Sequence, residues 1–540
     1  MLSDGRYGVG VTPQLAAGWT CERVTSPSRL YGANGLRTGP DGRIYVAQVT
    51  GSQISALDLQ SGQLDVVSAK GGAIVAPDDM AFDQAGNLYA TEVMDGRVSM
   101  RSPAGRSRVL AAGLPCANGI TVHQGRLFVN ECRMGGRLLE LSLEGGEPRL
   151  ILDNLPMPNA MEVGPDGYLY FPLLANHEIW RVHPDGGLAE RVVDGLCMPD
   201  ALKFDHQGQI VTTQLATGDV VRIDPRTGER KSLATLEPGL DNLTFVGERL
   251  FVSSLCGEIT EICTDGKTRP LVQGGFNWPL DLAVGSAGAL FIADGTYLHT
   301  WSPASGLRVL SMMMHPGYPA WVRGLVATGP GEFLVTNSNG QVCKYEPALQ
   351  RSDVWSEGHD QLYGIVAHGK SALVAEYGAG CVLAVQPGGV RAAVVARDLQ
   401  GPTGLALVAD GSCLVAESDA GRVVRVELEG SGRKETIVDG LESPQGLVVR
   451  AGKLYIVDGG AKAVLCHDLG GKGVQCLARG LPIGAPPGVV PQPLQGMPPF
   501  SGPQGPFAGI AAGQDGTLFV SCDGEGSVVA LKPPTQDTGS

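Results

Sequence analysis

The chain repeats itself about every 40 residues, and that period limits its folds more than any other feature. The stretches "ANGLRTGPDGRIYVAQV", "PNAMEVGPDGYLYFPLL" and "PDALKFDHQGQIVTTQL" share one frame. A small or Pro residue is followed by a variable slot, a small residue, an aliphatic residue, a short turn and an aliphatic strand. Twelve copies can be aligned. Their slots are Asn34, Asp78, Asn118, Asn159, Asp200, Asp241, Leu280, Arg323, Tyr363, Thr403, Gln445 and Ala508. The last interval is lengthened by the Pro-rich insert "LPIGAPPGVVPQPLQGMPPFSGPQGP", which reads as an irregular loop.

Within a copy the hydrophobic period is that of strands. "GPDGRIYVAQV" and "GQDGTLFVSCD" read as strand, Asp-Gly turn, strand, and further strands such as "GSQISALDL" and "GQLDVVSA" follow. No stretch sustains a helical period. Four strands per copy make one blade of a β-propeller, which buries both faces only in a closed ring of blades. The 78 Gly and 36 Pro residues, spread along the chain, suit such a turn-rich fold. A single ring of twelve would leave a wide axial hole. The expected fold is therefore all-β, with two tandem six-bladed propellers comprising residues 1–272 and 273–540. "WTCERVT" is a candidate strand for closing one of the rings.

The slot separates the two halves. In the first six copies it is always Asn or Asp; in the last six it never is. Turn preference alone favours Asn and Asp at strand entries, but the second half keeps the frame without them. Asn plus Asp make up roughly a tenth of average usage, so six of six points to a converged polar ring at a channel mouth. Oxygen donors of this kind suit a hard cation, and a cation would relieve repulsion among three carboxylates.

These first-half motifs resemble the gluconolactonase, regucalcin and diisopropylfluorophosphatase family of six-bladed propellers, with paraoxonases as distant relatives. The resemblance rests on "CANGI", "PNAM" and "PDAL" and spans about residues 30–270. It implies one divalent ion in the central channel, calcium first, with Mn²⁺, Mg²⁺ or Zn²⁺ as alternatives. Asn118, Asn159 and Asp200 match the family's ligands by blade order. Asn34 stands where the family has Glu, and Asp78 and Asp241 are additional candidates. The family hydrolyses lactones and related esters, which implies a metal-dependent hydrolase acting on a small molecule. Asp200 is then the expected base or nucleophile, or a ligand only. The second half resembles the NHL-type propeller repeat, as in "PTGLALVADGSCLVAESDAGRVVRV", and is expected to be a scaffold or to shape the substrate site.

Glu92 and Glu131 end the second strands of their blades, in a row with Gln48, Leu173, Gln214 and Ser254. They could touch substrate or shuttle a proton, or they could bond the next loop. Glu162, on an inner strand, is expected to face away from the metal. Cys116 and Cys197 precede slot residues and read as small packing residues. The 12 scattered Cys, without metal-type spacing, suggest reduced thiols of a cytosolic protein. A net charge of −14 without a basic stripe argues against nucleic acid and anionic membranes, and no apolar run is long enough to span one. The N-terminal residues lack the pattern of a secretion signal. Two other readings keep the same site: a metal-dependent lyase, isomerase or condensing enzyme, and a non-catalytic propeller with structural calcium.

Overall fold

The computed structural model describes residues 5–6, 12–388, 392–428 and 433–534. Among these, regular structure is β apart from one short 3-10 turn at Pro347–Leu349. The strands form twelve antiparallel sheets, eleven of four strands and one of five. In several blades the second strand is buried along its whole length, as at Ile44–Gln48, Leu88–Glu92 and Ile210–Gln214. The outermost strand is half exposed, as at Leu64–Ser68. This gradient explains why inner strands read as aliphatic runs: neighbouring blades cover both of their faces.

The Asp-Gly signals fold as expected. At Gly39–Arg43 the Gly42 amide closes on the Gly39 carbonyl at 3.0 Å, and Asp41 Oδ1 accepts the Arg43 amide at 3.1 Å. Gly42 sits at φ 79°, in the left-handed region where a side chain is strained.

Two compact units result. One comprises Arg29–Asn277 and Gly488–Met497; the other comprises the described residues of Met1–Ser28, Trp278–Pro487 and Pro498–Ser540. In the first unit the inner strands are Leu36–Thr38, Pro77–Phe82, Ala117–His123, Glu162–Val163, Pro199–Phe204 and Leu240–Val246. Each touches the next, and the last touches the first, so the six blades close a ring. In the second unit Leu282–Val284, Val322–Gly329, Leu362–His368, Pro402–Leu407, Pro444–Arg450 and Ile510–Ala512 close in the same way.

The rings are fastened differently. In the first, no strand is borrowed. Thr38 and Thr244 hydroxyls bond at 2.9 Å, Thr38 Oγ1 donates to the Phe245 carbonyl at 2.7 Å, and Leu36, Ile44 and Val46 pack with Phe251, Ile259 and Val272. In the second, Thr20–Arg23 pairs with Ser527–Lys532 as the outer strand of the last blade, and Gln14–Leu15 adds a fifth strand to the blade before it. The division at 272/273 is therefore corrected: the boundary lies at Asn277, and the N-terminal strands complete the second ring. The Pro-rich insert is shared, with Gly488–Met497 packing in the first unit and the remainder in the second.

Candidate functional site at the mouth of the first ring

The inner strands do not run in plain register through the slot. Pro77 pairs with Glu92 and Met80 with Ala90, leaving Asp78 and Asp79 opposite a single residue. The same shift falls at Ala117/Ile120, Pro199/Leu202 and Leu240/Leu243. Such bulges re-aim side chains, here toward the ring axis. Two residues earlier, Ala76, Cys116, Met157 and Met198 all hold positive φ. Conformations of this kind persist only where their surroundings enforce them.

The slot backbone is held from the neighbouring blade. Asn130 Nδ2 donates to the Asn159 carbonyl at 2.7 Å, Thr213 Oγ1 to the Asp241 carbonyl at 2.7 Å, and Ser253 Oγ to the Asn34 carbonyl at 2.6 Å. These small polar residues precede the strand-end positions singled out from the sequence.

Six slot side chains therefore share one channel mouth. Asp78, Asn118, Asn159 and Asp200 are buried, while Asn34 and Asp241 are partly so. Asn159 Nδ2 donates to Asp200 Oδ1 at 2.8 Å, and Asn34 Nδ2 to Asp241 Oδ2 at 2.9 Å. The carbonyl ends of these two amides are engaged by backbone: Asn159 Oδ1 accepts the Ala160 amide at 2.7 Å and Asn34 Oδ1 the Val49 amide at 3.1 Å. Both thus turn an NH₂ toward a carboxyl. Asp78 and Asn118 make no side-chain hydrogen bond among the described residues.

Burial pushes the Asp78 carboxyl well above its ordinary range, and the charges of Asp241 and Asp79 add to this. Asp200 is raised by burial and then by Asp78 and Asp79; Asp241 by burial and then by Asp200, with Asn34 opposing. Burial and the same carboxyls raise the Cys132 thiol.

Oxygen donors gathered at one mouth, with no cationic side chain paired to them among the described residues, are of the kind a hard divalent ion takes. Asp200, Asp241, Asp78 and Asn118 would hold it through oxygen, while Asn34 and Asn159 steady the carboxylates. Among the described residues no group of three or more His, Cys, Asp or Glu is disposed to hold a metal ion. Amide oxygen and water would therefore complete the shell.

Three residues further along the inner strands lies a layer not anticipated from the sequence. Arg37 Nη1 and Lys203 Nζ each approach Glu162 Oε2 at 2.9 Å. Arg37 also donates to the carbonyls of Met80 at 2.7 Å and Ile120 at 3.1 Å, so it spans the axis. Glu162, expected to face away from the metal, sits in this deeper layer with Arg37 and Lys203. Burial works to raise its pKa, but Lys203 and Arg37 outweigh that and hold it at about 2. Its ionised form contributes stability fully above the usual carboxylate pKa, and this is lost as pH falls toward 2. Glu162→Ala removes the carboxylate that Arg37 and Lys203 share, leaving them only the more distant charge of Asp79, and is expected to cost about 3–5 kcal/mol in chemical denaturation. The triple variant that combines Arg37→Met, Glu162→Leu and Lys203→Met removes every charge of the layer and is expected to cost far less. Equal losses in the two variants would show that the charges do not act as a unit.

Glu92 and Glu131 follow the second of their two expected roles, bonding a loop amide and neighbouring Arg side chains rather than facing the channel mouth. Glu92 Oε2 accepts the Val75 amide at 2.6 Å and Arg97 Nε at 2.8 Å. Glu131 is gripped by Arg137, at 2.8 Å from Nε, and by Arg133 at 3.2 Å. Both are wholly buried, each paired with an Arg of the adjacent strand or turn. Gln48 and Gln214 likewise accept loop amides, from Tyr31 at 3.0 Å and Cys197 at 2.5 Å. All twelve Cys are free thiols.

No protein-family model matches the chain. A gluconolactonase of Zymomonas mobilis subsp. mobilis is 28% identical over 172 residues, which cover 26% of this chain and 48% of that protein. The chain thus matches about half the length of that relative. Among solved structures, a streptogramin B lyase superposes with a TM-score of 0.38 at 18% identity, covering 54% of this chain and 98% of that one. A nidogen/laminin complex gives 0.35 at 19%, covering 37% and 79%. An inactive virginiamycin B lyase from Staphylococcus aureus, solved with quinupristin, gives 0.31 at 12%, covering 59% and 96%. No helix among the described residues is long and apolar enough to cross a membrane.

Proposed function

We propose that the protein is a divalent-metal-dependent hydrolase of the lactonase type, acting on a small cyclic ester at the mouth of the first ring. The observation that carries this reading is the trio Asp78, Asp200 and Asp241. These carboxyls raise one another's pKa around one axis, and Asn34 and Asn159 turn amide NH₂ groups toward two of them. The partial likeness to a gluconolactonase supports the substrate class.

A bound calcium ion would supply Lewis acidity at the ester carbonyl and stabilise charge that develops on its oxygen. Asp200 takes the proton from the attacking water, or attacks the carbonyl itself. Asn159 holds the Asp200 carboxylate through its 2.8 Å bond, so that the free oxygen faces the substrate. Asp241 is held by Asn34 in the same way and shares the negative charge of the site. The Arg37–Glu162–Lys203 layer closes the channel beneath, which leaves the slot end as the approach for substrate and water.

Metal removal tests the proposal. The purified chain is expected to contain about one divalent ion, and dialysis against a chelator to abolish hydrolysis of glucono-δ-lactone. Added Ca²⁺ or Mn²⁺ then restores it. Unchanged turnover in demetallated protein would sink the metal-dependent reading. Loss of thermal stability with no turnover at any stage would favour a structural ion.

A further inference from the structure

The second ring has an open channel where the first is filled. At the position after the slot its inner strands carry Gly324, Gly364, Gly404, Gly446 and Gly509, with one exception, Asp281. A Cβ at Gly324, Gly404 or Gly446 would strike the carbonyl of Tyr363, Gln445 or Ala508 on the next strand. The glycines thus draw the six strands together into a floor, and Asp281 is the one side chain in it.

Beyond this floor lies a cavity of about 230 Å³. Its walls include Ala283, Val326, Val366, Val448 and Ala511. In the first ring the matching layer holds Arg37, Glu162 and Lys203. The slot end of the second channel is closed. Arg323 is fully buried there, its guanidinium 3.7 Å from the Tyr363 ring centre, and it donates to the Gly505 carbonyl at 3.0 Å. Only the far end is left open.

Asp281 Oδ1 accepts the Leu282 amide and Oδ2 the Leu325 amide, each at 2.9 Å. Asp79 makes the equivalent bonds in the first ring, to Met80 at 2.8 Å and Ile120 at 3.3 Å, but there the charges of Arg37 and Lys203 oppose the effect of burial. No Lys, Arg or His pairs with Asp281 among the described residues. Burial pushes its carboxyl up to about 7, with the two backbone amides opposing. One carboxylate without further oxygen ligands does not make a cation site. One carboxylate at the base of walls that mix aliphatic side chains with polar backbone is complementary to an ammonium group on a small hydrocarbon body. The volume exceeds the roughly 150 Å³ of an apolar cavity that admits benzene.

We propose that the channel of the second ring binds a small apolar amine, its ammonium paired with Asp281 and its hydrocarbon against Ala283, Val326, Val366 and Val448. Calorimetric titration of the full chain with benzylamine is expected to show one saturable site. Benzyl alcohol and benzoate should bind about ten-fold more weakly or worse, since a hydrogen bond to a charged group is worth about 1.5–3 kcal/mol. Val448→Phe narrows the channel without touching Asp281 and is expected to weaken benzylamine by a similar factor. Asp281→Asn, where it folds, should abolish the preference for amine over alcohol. Benzyl alcohol binding as tightly as benzylamine, the absence of saturable benzylamine binding, or an isotherm unchanged by Val448→Phe would each overturn the proposal.

Discussion

Asp200→Ala is expected to lower lactone turnover by roughly 10²–10⁴-fold, the range supplied by a positioned proton acceptor, and to reduce the bound metal well below one ion per chain. The side chain is buried at the channel mouth and accepts from Asn159 Nδ2 at 2.8 Å. Asp200→Asn separates ligand from catalyst. Its amide oxygen can still accept from Asn159 and face the ion, so metal content should fall little while turnover falls nearly as far as in the Ala variant. Gln445→Ala provides the control. It occupies the equivalent slot of the second ring, where its Oε1 accepts the Ala508 amide at 2.6 Å, and it should leave metal content unchanged. Full metal content together with full turnover in Asp200→Ala would remove the first-ring mouth from consideration.

Removing residues 1–28 is expected to lower the melting midpoint of the second ring by more than about 10 °C and to leave that of the first within a few degrees. Thr20, Cys21, Glu22 and Arg23 pair in unbroken register with Lys532, Leu531, Ala530 and Val529. Ala16, Trp19 and Cys21 pack on the apolar cluster around Leu518, Val520 and Leu531. Arg23 forks onto Glu525 at 2.6 and 2.9 Å, and Glu525 is only 6% exposed. Stripping the Arg from that carboxylate alone costs about 3–5 kcal/mol, and for a unit of this size each kcal/mol moves the midpoint by roughly 2–4 °C. Differential scanning calorimetry of the truncated and intact chains is the measurement. Equal shifts in both transitions, or none in either, would contradict the assignment of these strands.

The blades were legible because a four-stranded repeat imposes a period, and "GPDGRIYV" names a hairpin wherever it stands. The slot was legible because the second half of the chain serves as a control for the first. What escaped was geometry that needs the ring. Glu162 is one acidic residue on a short strand. Only closure of the six blades sets it against Arg37 and Lys203, which are more than 40 residues distant on either side. Glu92 and Glu131 shared a row with Gln48 and Gln214, and that row proved to bond loop amides and neighbouring Arg side chains. The bulge at Pro77/Met80 leaves no mark of its own in composition, although it turns Asp78 toward the axis. The borrowed strand was visible as "WTCERVT", but its partner lies at the far end of the sequence, beyond the reach of any local pattern.

The clasp of the second ring imposes an order of assembly on the ribosome. Thr20–Arg23 leaves the ribosome ahead of the whole first ring, whereas Ser527–Lys532 follows all the other blades of the second. The six blades of the first ring come from a single uninterrupted run whose ends meet, with Gly32 close to the Asn277 side chain, so they can close while the second ring is still being made. At roughly 5–20 residues per second, tens of seconds separate the release of Asn277 from that of Ser527. Throughout that interval Thr20–Arg23 must stay unpaired, with the whole first ring lying between it and its partner in the sequence. The first ring is therefore a domain inserted between a strand and the blade that strand will complete.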